Sequence, residues 1–183
     1  WKDKLGDAQG EDKIDKYRQA RKSQNRNMLQ LLELTKKAYI EKKASVLAEQ
    51  LKSLAQRQEG LVKIKKDDRI ENQIQLNESF QKTWHDIEDW RKDGAKLKSP
   101  IVVPNLELRG QSLSEKLKQS LERLEQKDFN QAVINQKDAS SKMRSLAADL
   151  NSTISSVQMK ERKEDIHTLR QVVDNLLAFS IAQ

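Results

Sequence analysis

The chain has 183 residues, of which 34% are charged, 36% hydrophobic and 4% aromatic, with five glycines, two prolines and no cysteine. This balance favours long helices with narrow apolar stripes over a sheet protein with a thick core. It excludes a disulfide framework and a thiolate metal site, and no apolar run reaches the roughly 20 residues of a membrane span.

The net charge of +7 is unevenly placed. Residues 13–43 carry ten Lys and Arg against the three acids Asp15, Glu33 and Glu41, so the whole excess lies there. Residues 1–10 hold Gly6 and Gly10 with little periodicity and are expected to be a frayed lead-in. The start at Trp1, with no signal-peptide pattern, suggests a fragment of a longer protein whose anchor lies elsewhere.

Residues 11–59 contain neither Gly nor Pro, which permits one very long helix or two consecutive ones. Met28, Leu31, Leu32, Thr35 and Tyr39 share one helical face. Leu47, Leu51, Leu54, Gln58 and Leu61 alternate four and three, as a coiled-coil seam does. The stripe weakens near Lys42 and Lys43, where a bend is plausible, and Gly60 marks an end or a kink. Asp67-Asp68 has the character of a helix start. From there Ile70, Ile74, Asn77, Phe80 (or Gln81), Trp84, Ile87, Gly94 and Leu97 continue a stripe, with Trp90 at its rim.

Residues 99–110 read Ser-Pro-Ile-Val-Val-Pro-Asn-Leu-Glu-Leu-Arg-Gly and hold both prolines. Each proline pushes the preceding residue, Ser99 or Val103, out of helical geometry, so an extended strap is expected here. Beyond it, Gln111-Ser112 or Ser114 is expected to cap a short helix with Leu113, Leu117, Leu121 and Leu124 on its face. Asp128 is expected to cap the next, whose stripe runs from Phe129 through Ala132, Val133, Gln136, Ala139, Met143, Leu146, Ala147, Leu150 and Ile154 to Val157. These two form an expected antiparallel hairpin. A last helix is expected over about 160–182, with Ile166, Leu169, Val172, Val173, Leu176, Leu177 and Ile181 apolar.

Chemistry finds little to work with. His85, beside Asp86, Glu88 and Asp89, points away from a ligand cluster, because helical neighbours one apart face different directions. His167 stands beside Glu164 and Asp165 in the same way. There is no glycine-rich phosphate loop, nucleophile elbow or zincin pattern. The expectation is therefore no enzyme activity, no catalytic, cofactor or metal site, and no cofactor. Candidate interface residues are Trp84 and Trp90, as aromatic anchors, with Lys13, Lys16, Arg18, Arg21, Lys22 and Arg26 as a basic face. Trp84 also suits a core position, and Trp90 is balanced between core and surface. With only Tyr17 among the basic residues, nucleic acid is not the expected ligand.

Several segments in order resemble a family of large Bacteroidota proteins, domain of unknown function 4175. They are Leu47-Ala48-Glu49-Gln50-Leu51 onward to Leu61, Leu76-Asn77-Glu78-Ser79-Phe80, Pro104-Asn105-Leu106, Gln136-x2-Ala139-x3-Met143-x2-Leu146, and Leu169-Arg170-Gln171-Val172-Val173-Asp174-Asn175-Leu176-Leu177 with Phe179-Ser180. The likeness spans roughly residues 29–183. Trp84 and Trp90 and the lower acidity of the second helix depart from the family pattern. The resemblance implies a cell-envelope protein with membrane spans outside this segment, and it implies no activity.

The expected architecture is all-α: an elongated bundle or coiled-coil-like hairpins of five or six helices. It is organised as helical arms over 1–98, a strap over 99–110, and a hairpin plus final helix over 111–183. The expected function is a non-enzymatic scaffold module, periplasmic or in the cell envelope, that presents helical surfaces to protein partners. The alternative is a binder of an anionic polymer or acidic surface through residues 13–43, and a homo-oligomer closed through the first helix is a third possibility.

Overall fold

The computed structural model describes the backbone of residues 2–65 and 68–181, and the side chains of 18, 19, 21–65, 68–160, 162, 163 and 170. Among these residues the chain is all-α, with α1 (Lys2–Leu61), α2 (Arg69–Ala95), α3 (Leu106–Glu125) and α4 (Phe129–Ile181). It divides into two units, Trp1–Tyr39 and Ile40–Gln183, with the boundary inside α1. That division differs from the arm, strap and hairpin segmentation expected from the sequence.

Among the described residues four helices stand where five or six were expected. Residues 2–10 are helical, since Gly6 and Gly10 each weaken a helix by about 1 kcal/mol without removing a backbone donor. Residues 11–59 belong to one helix, not two. The last helix expected over about 160–182 is not separate, and α4 runs on to Ile181. The Asn, Ser and Thr residues at 151–156 are weak helix formers, but none forbids the helix as proline does.

The unit Ile40–Gln183 is built on four matching seams. Ile40, Ala44, Leu47, Leu51, Leu54, Gln58 and Leu61 of α1 are buried at alternating spacings of four and three. In α2 the buried set is Gln73, Leu76, Phe80, Thr83, Ile87, Trp90 and Gly94, and in α3 it is Leu106, Gly110, Leu113, Leu117, Ser120 and Leu124. Ala132, Gln136, Ala139, Met143, Leu146, Leu150 and Ile154 of α4 complete it. A period of 3.5 keeps each seam facing its neighbours, which is the geometry of a left-handed bundle. Each buried Leu, Ile or Phe stabilises this core by about 1.5–3 kcal/mol.

Polar contacts give the helix directions. Gln58 meets Gln73 near one end of the α1–α2 pair, and Ile40 meets Trp90 near the other. Asn77 lies beside Leu117 and Arg91 beside Glu107. Arg109 pairs with Asp149, and Lys116 with Asp138. Glu59 bonds Arg144, while Glu41 accepts from Gln158. Every sequential pair is antiparallel and α4 closes against α1, so the topology is up-down-up-down.

The α1–α2 turn is held by Arg69, which donates to the carbonyl oxygens of Ile64 (2.8 Å) and Val62 (2.7 Å). Asp68 occupies the start of α2 as expected but makes no side-chain capping bond. Asp67 lies outside the described residues.

The strap is shorter than expected. The helix break covers 96–105, and Leu106–Gly110, assigned to the strap from sequence, forms the first turns of α3. Gln111, Ser112 and Ser114 are accordingly interior to α3 and do not cap it. Pro104 stops helix formation at Val103, and Asn105 then turns in a left-handed conformation (φ 55°), which asparagine tolerates. Ile101 and Val103 are buried while Val102 is exposed, as an extended chain dictates. The Ile101 N–H donates to Gly94 O at 3.3 Å, and a Cβ on Gly94 would sit 3.4 Å from Ile101 O.

The α3–α4 turn ends α3 with Lys127 in the left-handed region (φ 60°). Lys127 N–H donates to Leu124 O (3.0 Å) and Asp128 N–H to Arg123 O (2.9 Å), the paired bonds of a Schellman end. Asp128 then caps α4, accepting from Gln131 N–H at 3.2 Å, as expected.

Candidate functional site

Trp90 is fully buried, and its indole N–H donates to Ile40 O at 2.9 Å. It is a core residue of the bundle and not a surface anchor. Trp84 is half-buried, stacked on Phe80 at 6.2 Å and laid across Gly110, so close that a Cβ there would overlap its ring. The sequence stripe through Ile70, Ile74 and Trp84 followed bulky residues. The seam instead runs through Gln73 and Thr83, polar residues on the inward phase, and it reaches Trp90. In α3, Ser120 likewise takes the inward position expected for Leu121, which is half-buried.

A layer of amides crosses the bundle interior. Gln58 and Gln73 exchange bonds of 2.8 and 3.1 Å, Gln136 donates to Gln73 Oε1 at 2.9 Å, and Gln73 donates to Asn77 Oδ1 at 2.9 Å. The Gln136 carbonyl oxygen is buried without a donor. These groups are neutral and do not titrate, so they offer neither a nucleophile nor a general base.

A groove of about 450 Å³ between α3 and α4 is lined by Arg109, Asp138, Lys142 and Ser112, Ser141 and Ser145. Its charges are already matched. Arg109 pairs with Asp149 and donates to Ser145 Oγ at 2.8 Å, while Asp138 lies 3.8 Å from Lys116 and 3.9 Å from Lys142. His85 lies 3.5 Å from Asp89 on an exposed face. A hydrogen bond from Lys92 holds the Asp89 carboxyl below its ordinary range. Among the described residues no group of three or more His, Asp or Glu could hold a metal ion. No described helix is long and apolar enough to cross a membrane.

The remaining feature lies in the unit Trp1–Tyr39. Arg18, Arg21, Lys22 and Arg26 are exposed along α1, while the side chains of Lys13 and Lys16, like that of His167, lie outside the described residues. Next along the helix, Met28 (66%), Leu31 (64%), Leu32 (50%) and Tyr39 (60%) are largely exposed. Exposed leucines in isolation need no explanation, but a run on one face of three helical turns does. Met28, Leu32, Thr35 and Tyr39 are spaced four, three and four, which is a coiled-coil seam.

The sequence reading found this stripe without ranking it among the candidate contacts. The usable signal was its phase. The alternation through Tyr39 would next fall on Lys42 and Val46, whereas the buried seam takes Ile40 and Ala44, two residues earlier in each case.

The described fold and surface define an all-α, antiparallel four-helix bundle whose first helix also bears a basic, apolar-striped segment. Comparison with protein-family models, with curated proteins and with solved structures finds no match.

Proposed function

We propose that the chain is a non-enzymatic structural module of a cell-envelope protein that holds a partner protein on helix α1. The observation that carries this reading is the exposed seam Met28–Leu32–Thr35–Tyr39 on a helix of a protein able to close well-packed seams elsewhere. Apolar residues at helical spacing are the means by which one helix recognises another. The matched ion pairs of the α3–α4 groove support a structural role over a chemical one. The envelope location rests on the family resemblance of residues 29–183.

The test is site-specific photocrosslinking in the cells that make the protein, with p-benzoylphenylalanine at Leu32 or at Gln30, an exposed site off the seam. Leu32 is expected to give a discrete protein adduct that Gln30 does not. Equal trapping at both sites, or none at Leu32, would overturn the reading.

A second reading is favoured by the exposed cluster Arg21, Lys22 and Arg26, which could track an anionic polymer. It predicts binding to heparin that falls steeply with salt. Absence of binding at 50 mM salt would remove it.

A further inference from the structure

We infer that the occupant of the α1 seam is an acidic amphipathic helix of another protein, an inference that rests on the partner-holding reading above. With Met28 and Thr35 at one seam position and Leu32 and Tyr39 at the other, Lys22, Leu29 and Lys36 fall along one flank. Leu31 and Ala38 fall along the opposite flank. One turn towards the N-terminus the seam itself continues into Arg21 and Asn25. Arg21, Lys22, Met28 and Lys36 are all exposed. The surface is therefore an apolar stripe with a lysine edge and an arginine at its head.

Flanking charges select coiled-coil partners, and like charges set side by side are penalised. A second copy fits poorly in either direction. Aligned in parallel it sets Arg21 against Arg21, and antiparallel it sets the lysine edge against itself. A bilayer fits less well than a helix. The apolar stripe spans only three turns, carries Thr35 at its centre and Lys36 on its flank, and has no tryptophan. A helix with apolar seam residues and glutamates on its flanks matches both the stripe and the edge.

The direct probe is a pair of synthetic peptides of about four heptads, with leucine at the seam positions and either Glu or Lys at the flanks. Binding to the whole chain is read by fluorescence anisotropy at 50 and 500 mM salt. The Glu peptide is expected to bind and to weaken about tenfold at high salt. The Lys peptide is expected not to bind. Leu32→Asp should reduce affinity about thirtyfold or more. Lys22→Glu with Lys36→Glu should exchange the preference for the Lys peptide, and its circular dichroism should match the parent chain.

Failure of the Glu peptide, equal binding of both peptides, or no exchange by the charge-reversed variant would overturn the inference. So would binding only to vesicles containing phosphatidylserine, or self-association through the seam. If Leu32 still traps a protein in cells while the Glu peptide fails, only the acidic-helix inference falls. If Leu32 traps nothing, the partner-holding reading falls with it.

Discussion

The indole N–H of Trp90 donates to the backbone carbonyl of Ile40 at 2.9 Å, tying the end of α2 to the first buried position of the α1 seam. Trp90→Phe keeps most of the apolar volume but leaves that carbonyl without its extra donor. The expected loss is about 1–2 kcal/mol by urea unfolding. Trp90→Ala adds a cavity and should cost about 3–5 kcal/mol. A surface role for Trp90 would instead predict a change below about 0.5 kcal/mol for either variant.

The amide layer makes a graded prediction. Gln73→Leu removes the shared partner of Gln58, Asn77 and Gln136, leaving buried polar atoms unpaired. It should cost about 2–3 kcal/mol. Gln136→Leu also removes the buried oxygen that has no donor, so it should cost clearly less. Replacing Gln58, Gln73 and Gln136 together with leucine should restore stability to about the parent level, because no orphaned partner remains among the three. The check is a comparison of urea midpoints at constant m-value.

Gly110 and Trp84 are predicted to be coupled. Alanine in mid-helix is ordinarily better than glycine by about 1 kcal/mol. Here a Cβ would overlap the Trp84 ring, so Gly110→Ala should destabilise the bundle by about 1–3 kcal/mol. In a Trp84→Ala background the same change should become neutral or favourable. A double-mutant cycle measures the difference, and additivity within about 0.5 kcal/mol would contradict the contact.

The α3–α4 turn offers opposite effects at neighbouring positions. Lys127 holds a left-handed conformation, so Lys127→Gly should stabilise by about 1 kcal/mol. Asp128→Ala removes the cap of α4 and should cost about 1 kcal/mol. Thermal unfolding of the two variants should shift in opposite directions.

Helical class and the position of the helix break were legible in the sequence, because proline and glycine placement constrain the backbone directly. Apolar scanning found the α1 and α4 seams, where the inward positions are mostly Leu, Ile, Met and Ala. It misplaced α2 because two inward positions are Gln73 and Thr83, which pair their polar atoms inside the protein. The same phase error placed Trp90, which is fully buried, at the rim of the stripe. A separate last helix was expected over about 160–182 although nothing at 151–156 forbids continuation, and α4 runs through both segments. The stripe at Met28–Tyr39 was visible as a pattern. Periodicity within the stripe could not supply its exposure; only its phase against the seam that starts at Ile40 set it apart.

The Met28–Tyr39 seam is proposed to receive a different protein and not a second copy. Light scattering coupled to size exclusion on the whole chain, at 50 and 500 mM salt, tests it most directly. A monomer is expected at both salt concentrations across a hundredfold range of protein concentration. A concentration-dependent dimer that Leu32→Asp dissolves would contradict it.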